Sequence, residues 1–371
     1  MTANIEEEII YEFSDTFMDD YEFNVSESPL PETQFVCDSE EDSLHLYYTV
    51  IQPLVYSLVF LLGVTGNSLL LTVLLQHRAR LRITEIYLLH LALADLLLLL
   101  TFPFAVVQVL TGWVFGDFLC KLLGLLNRLN LVCGSLLLAC IGFDRYLAVV
   151  HAVSSLQSRR PRIVHLTCAL LWLFCFIVSM PNIVFLSVMP SNQSARLECH
   201  FNSHGINANN WLLTNHLLTN VFGFFLPLFI MGYCYTAVVL TLYNSQQSLE
   251  KQGAIRLAMV VTLVFCLCWL PYNITLFLDT LVRLGVLPQK SCEARTALAQ
   301  GLGITESIGF IHCCLNPILY AFVGVRFRKD LLRLLAKWGC GAICGPLLRA
   351  GVLNRVSVSE AATTTTSSQY I

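Results

Sequence analysis

Seven stretches of this chain are long and apolar enough to cross a membrane, and that narrows the accessible folds more than anything else in it. Scanned in windows of about 19 residues, they run over 47–76, 84–110, 117–150, 162–188, 211–243, 253–284 and 294–323. Each reaches the roughly 20 residues that a helix needs to span hydrocarbon. Inside a bilayer every backbone N–H and C=O must find a partner within the protein, so runs of this kind are helices. Only 13% of the residues are charged while 56% are hydrophobic; a soluble domain carries about 25% charged residues. No internal repeat and no soluble domain is visible. The expected fold is an all-α membrane protein. An acidic extracellular tail (1–46) precedes a seven-helix bundle (47–323). A short amphipathic membrane-surface helix (324–338) and a disordered Ser/Thr-rich tail (339–371) follow.

Lys and Arg set the orientation. The loops after the first, third and fifth spans, with the C-terminal region, contain "HRARLR", "QSRRPR", Lys251 with Arg256, and "VRFRKDLLRLLAK". Together they hold fifteen basic residues, against six toward the opposite side, with Arg145 counted in neither group. The N-terminus is therefore expected outside the cell and the C-terminus in the cytoplasm, in a multi-pass plasma-membrane protein. Residues 1–45 contain fourteen Asp or Glu and no Lys or Arg. The start "MTANIEEEII" lacks a basic region ahead of an apolar core, so no signal peptide is expected. Such a leader reads as a solvated tail or as bait for a basic partner.

Sequons at Asn24 and Asn192 fall on the outer side, where glycosylation occurs, whereas the match at Asn273 lies inside the sixth span. Most of the fifteen cysteines sit within spans and read as packing residues. Four fall on the oxidising outer side: Cys37, Cys120, Cys199 and Cys292. Four cysteines allow three pairings. Joining Cys120 to Cys199 would pin the loop before the fifth span over the bundle, and joining Cys37 to Cys292 would tie the leader to the start of the seventh. Cys340 and Cys344 follow a basic amphipathic stretch and read as lipidation sites.

Ionisable and helix-breaking residues within spans mark function by default. They include Asp95, with Pro103 further along in "TFPF"; Asp144 and Arg145 in "FDRYLAVVHAV"; Trp269, Pro271 and Tyr272 in "CLCWLPY"; and Glu306 ahead of "HCCLNPILY". A lone Asp can be a packing residue, and Pro is common in membrane helices. The set taken together, with "DRY" at the inner end of the third span, "CWLP" in the sixth and "NPILY" in the seventh, resembles the rhodopsin-like G-protein-coupled receptors over about residues 45–340. The resemblance implies that Asp144 neutralises Arg145 in a closed state. Outward movement of span six then frees the arginine, beside Tyr146, to meet a G protein. It implies that Tyr235 and Tyr320 line the arginine's new surroundings and that Pro271 supplies the kink in span six. Trp269 matches the family's bulky sensor below the ligand. Asp95, Asn130 and Asn316 resemble an allosteric sodium site, with Pro317 completing that segment's motif, although Gly134 stands where a serine often serves. No other cofactor and no metal centre is implied.

An amine site would need an acid midway down the third span, where Asn127 and Arg128 stand instead. The Thr-X-Pro of "TFP", the signature "DRYLAVVHAV", the leader-to-span-seven cysteine pair, "GWVFGDFLCK" and "CCLNPILYAFVGVRFR" resemble chemokine receptors of the CXC type, nearest type 3, which takes interferon-induced chemokines, then type 5. This implies an immune receptor for a basic CXC chemokine, coupled to an inhibitory-class heterotrimeric G protein that drives calcium signalling and leukocyte chemotaxis. Tyr21, and second Tyr11, become candidates for sulfation and ligand capture. Glu306, Asp279, Trp269 and Tyr272 become candidate chamber residues. Gln108, Asn182 and Asn127 depart from residues that many relatives carry. Residues from Ala148 to Ala152 would contact the G protein, and the tail would take receptor kinases and arrestin. Membrane lipid is a partner, homo- or hetero-dimers are conceivable, and nucleic acid is not implied. No nucleotide loop or nucleophile–base set appears, so no enzyme is expected. A transporter would show repeats and several midplane charges. A scavenging receptor would often carry a damaged "DRY" or "NPILY", and both are intact.

Overall fold

The computed structural model describes residues 46–76, 81–151, 161–190, 196–201, 208–243, 249–288, 292–323 and 325–340. Seven of its helical segments are long and apolar enough to cross a membrane: span 1 (Tyr47–Gln76), span 2 (Ile83–Thr111), span 3 (Gly116–Val149), span 4 (Pro161–Phe185), span 5 (Asn210–Tyr243), span 6 (Ile255–Arg283) and span 7 (Ala297–Phe322). These helices pack as a seven-helix bundle. Span 3 is the centre of it. Its most apolar stretch is 72% buried, against 22–44% for the other six. Leu54, Leu61, Phe229, Leu240 and Leu263 instead point outward, as lipid-facing side chains do.

Two spans are divided and a third carries a proline within its helix. Span 2 divides into Ile83–Leu99 and Phe102–Thr111, with Pro103 in the first turn of the second piece. There its missing N–H is one that the helix start leaves unbonded anyway. Span 7 divides at Ile311 into Cys292–Phe310 and His312–Val323. Span 6 carries Pro271 within a helix that runs on to Arg283. The proline ring has no N–H for the carbonyl of the preceding turn. Just beyond it, Asn273 Nδ2 donates to the Trp269 carbonyl at 2.9 Å and Thr275 Oγ1 to the Pro271 carbonyl at 2.9 Å. Asn273 is fully buried, which removes its sequon from the surface.

Small residues let the spans approach. A Cβ on Gly309 would stand 2.6 Å from the Trp269 ring, and one on Gly66 would stand 2.8 Å from Pro317. Each is a contact that only glycine permits without something moving.

Span 4 ends earlier than hydropathy suggests. The expected helix over 162–188 gives way at Phe185, and Leu186–Pro190 forms strand β1. It pairs antiparallel with β2 (Leu197–Phe201), with Val188 opposite Cys199. The pairing partner lies beyond the loop, so apolar content alone could not reveal the change from helix to strand. The hairpin is tied down at several points. Cys199 forms a disulfide with Cys120 of span 3, the Trp113 amide donates to the Leu197 carbonyl at 2.7 Å, and the Val188 amide donates to Asp117 Oδ1 at 3.3 Å.

After span 7 a helix, α1 (Val325–Leu335), leads into a tight turn, Ala336–Cys340, in which Gly339 adopts φ 103°. Leu334 is buried, while Arg328 and Arg333 are exposed. The Phe327 ring lies 6.4 Å from that of Tyr320. This two-faced helix corresponds to the expected segment 324–338.

Candidate functional site

Three polar layers cross the apolar bundle. The first, toward the hairpin, gathers residues of spans 3, 5, 6 and 7. Trp269 is 1% exposed and packs edge-on against Tyr272 and Phe310 at 5.5 and 5.6 Å between ring centres. Its indole Nε1 has no partner. Glu306 makes no hydrogen bond or ion pair with any described residue. Its neighbour Ser307 closes a small network in which Gln52 Nε2 and Ser307 Oγ each lie 3.1 Å from the Tyr56 hydroxyl. Asp279 is already engaged: Arg283, one turn on, donates Nε to Oδ2 at 2.6 Å, and His216 Nδ1 of span 5 lies 3.4 Å away. Asn127 Oδ1 accepts a bond from Thr101 at 3.1 Å. Asn182 donates to the Gly124 carbonyl at 2.9 Å and accepts from Asn215 at 3.2 Å. Two of the positions that depart from the family's pattern thus serve helix packing.

The middle layer is built around Asp95, which is fully buried. Asn130 donates to its Oδ1 at 3.1 Å and Asn316 to its Oδ2 at 2.9 Å, joining spans 2, 3 and 7 as the sequence motifs imply. Two residues not singled out from sequence also converge here. Cys313 Sγ donates to Oδ1 at 3.5 Å. His312 Nε2 lies 3.5 Å from the same oxygen, while its Nδ1 lies 2.7 Å from the Gly309 carbonyl. That carbonyl can only accept, so Nδ1 carries the proton. The side-chain oxygens of Asn67, Asn130 and Asn316 have no partner. The Asn130 and Asn316 amides turn their N–H groups to the carboxylate, and Asp95, His312 and Cys313 bring ligand atoms that could hold a metal ion within 4.8 Å of one another. The signal in the sequence was the imidazole and thiol in "HCCLNP", polar groups within an apolar run.

The innermost layer holds Arg145. Its Nη2 bonds both to Asp144 Oδ2 and to the Thr84 hydroxyl of span 2, and Thr84 Oγ1 donates in turn to Asp144 Oδ2 at 3.2 Å. The Arg145 and Asp144 side chains are 16% and 6% exposed, so this is a shielded pair in a closed triangle. Thr84 was not foreseen from sequence, because it is 61 residues away along the chain. The Tyr235 hydroxyl lies 3.1 Å from Thr262 Oγ1, linking spans 5 and 6. Tyr320 is 2% exposed with its hydroxyl unbonded. It lines a small apolar cavity with Thr84, Leu138, Ile141, Leu257 and Val261. Tyr146 bonds His151 at 2.9 Å and packs on Tyr233.

With that geometry established, comparison with known proteins decides the family. The profile described as "7 transmembrane receptor (rhodopsin family)" matches residues 66–320. The C-X-C chemokine receptor type 5 of Mus musculus is 44% identical over 318 residues, covering 85% of each chain. The human type 1 receptor is 42% identical over 311 residues, 84% of this chain and 87% of the relative. The human type 2 receptor is 42% identical over 304 residues, 82% of each chain. The chain belongs to the rhodopsin-family receptors, in the CXC chemokine receptor group.

A CXC chemokine receptor is a multi-pass plasma-membrane protein and not an enzyme. In this receptor the Cys120–Cys199 bridge is formed. Tyr11, Tyr21, Asn24, Cys37, Ala152, Asn192 and Cys344 lie outside the described residues, as do the side chains of Cys292 and Cys340. Of the chamber candidates, Trp269 and Tyr272 are in ring contact, whereas Asp279 has its carboxylate occupied by Arg283.

Proposed function

We propose that this receptor binds a basic CXC chemokine on its extracellular side and activates an inhibitory-class heterotrimeric G protein, raising calcium and driving leukocyte chemotaxis. The observation that carries the signalling reading is the Arg145–Asp144–Thr84 triangle at the inner end of span 3. A buried arginine bonded only to the chain's own groups is a two-state element: ligand biases it toward a second arrangement in which it faces a transducer. The unbonded Tyr320 hydroxyl is a partner held in reserve for that arrangement. Pro271 and the two side-chain bonds beside it make span 6 the element that bends.

The basic loops face the cytoplasm, and the disulfide-tied hairpin faces outward with the N-terminus. The acidic leader, sulfated at Tyr21 and secondarily at Tyr11, collects the chemokine by electrostatic steering. The chemokine's N-terminal segment then enters the chamber toward Glu306. The Asp95 layer takes a sodium ion that favours the resting state. Asn24 and Asn192 carry glycans, Cys37 pairs with Cys292, and the phosphorylated tail recruits arrestin. By resemblance the ligand belongs to the interferon-induced group taken by type 3 receptors, with type 5 ligands next.

A panel of CXC chemokines applied to transfected cells, with calcium release and lowered cAMP as readouts, tests this. At least one should give both responses. Silence across the panel, or chemokine uptake without either signal, would overturn the signalling role.

A further inference from the structure

Among the described residues Arg128 has no counter-ion. It lies on the side of span 3 that meets span 5, with only 7% of its surface exposed. Nη2 donates to the backbone carbonyl of Asn215 in span 5 at 2.6 Å. Nε is buried with no partner, and no described carboxylate comes within ion-pairing distance of the guanidinium. A guanidinium offers five donors in a fixed fork suited to carboxylate, and the carbonyl occupies only part of it. Burying such a charge beside one neutral group destabilises the unliganded protein by several kcal/mol.

The surroundings show what the charge is for. Asn215 leaves its side-chain oxygen unpartnered, and His216 and Tyr272 lie within electrostatic range of Arg128. Tyr272 lies within the same range of Glu306, which has no partner among the described residues. Tyr272 thus lies within electrostatic range of both an arginine and a glutamate that are ion-paired with no described residue.

We propose that Arg128 is an anion subsite of the chamber. It takes a carboxylate of the ligand's entering segment while Glu306 takes that segment's positive group. The chamber then selects a dipolar peptide in preference to a merely basic one. The proposal rests on the chemokine-receptor reading and adds a specificity-determining residue to it.

The test uses the full-length receptor and the panel chemokine that gives the calcium response. Each Asp and Glu of that chemokine's N-terminal segment is changed to its amide, and potency is measured on wild-type receptor, Arg128→Gln and Arg128→Lys, with surface level read separately. Arg128→Gln should lower potency by about 30-fold or more, the low end of what truncating one partner of a buried charge pair removes. Arg128→Lys, which keeps the charge and loses the fork, should fall between. One amide variant should be weakened equally on the wild type and not weakened further on Arg128→Gln. Additive losses at every acidic position, or unchanged potency of Arg128→Gln, would overturn the proposal. Should Arg128→Gln fail to reach the surface, the amide series on the wild type decides alone, and unchanged potency throughout counts against the subsite. Silence of the wild type toward every chemokine removes the underlying reading as well; a wild-type response with additive losses removes only this one.

Discussion

Span 3 carries two arginines, seventeen residues apart on one unbroken helix, which puts them about 25 Å apart along its axis. The inner one, Arg145, has an adjacent carboxylate and a threonine hydroxyl from span 2. The outer one, Arg128, has a single backbone carbonyl. Arg128 is buried and Arg145 is largely shielded, so the protein has solved the same electrostatic problem once and left it open once. A charge satisfied from within resists change until something pulls its partner away. A charge left short of partners is ready for something to arrive. On the proposed reading, the difference separates a latch from a receptor surface on the same helix.

Four perturbations break or sharpen this contrast, taken from the largest expected effect downward. Arg145→Ala should abolish G-protein activation, measured as nucleotide exchange in membranes, while chemokine affinity stays within about threefold; at 1.4 kcal/mol per tenfold, that is under 1 kcal/mol of binding. Equal loss of binding and exchange would remove the distinction between the two ends. Asp144→Asn leaves a buried arginine without its counter-charge, at a cost of about 3–5 kcal/mol to the closed arrangement. It should raise ligand-independent cAMP lowering. Thr84→Val deletes the hydroxyl's hydrogen bonds to both Arg145 and Asp144 but leaves the two charges paired, so the same assay should show a smaller rise, and no change would mean that Asp144 holds the arginine unaided. On the extracellular side, Tyr21→Phe should slow chemokine association a few-fold, since an exposed pair contributes about 0.2–1 kcal/mol, and should flatten the dependence of the on-rate on ionic strength. An unaltered salt slope would detach the leader from steering.

The sequence made the bundle legible because lipid imposes a coarse rule: long apolar runs are helices, and charges inside them have work to do. That rule found the seven spans, Asp95, Arg145 and Glu306. It also flagged Arg128, but only as the absence of an amine-binding acid, because its partner Asn215 is 87 residues away. Thr84 and His312 were missed for the same reason: each becomes significant only when another span comes alongside. The strand beginning at Leu186 was hidden because hairpin pairing is non-local. The Asp279–Arg283 pair was legible in principle, since an acid and a base four residues apart on a helix face each other. The candidate anion at Asp279 is therefore engaged by its own helix.

Spans 2, 6 and 7 each interrupt or strain their hydrogen-bond ladder within the bilayer; span 3 runs for 34 residues without a break, anchored at its outer end by the disulfide to the hairpin. The interruptions therefore fall in the surrounding shell, and the central rod is continuous. A pair of spectroscopic labels along span 3 should keep its separation in every functional state, which makes that helix the internal ruler against which each of the other six can be surveyed.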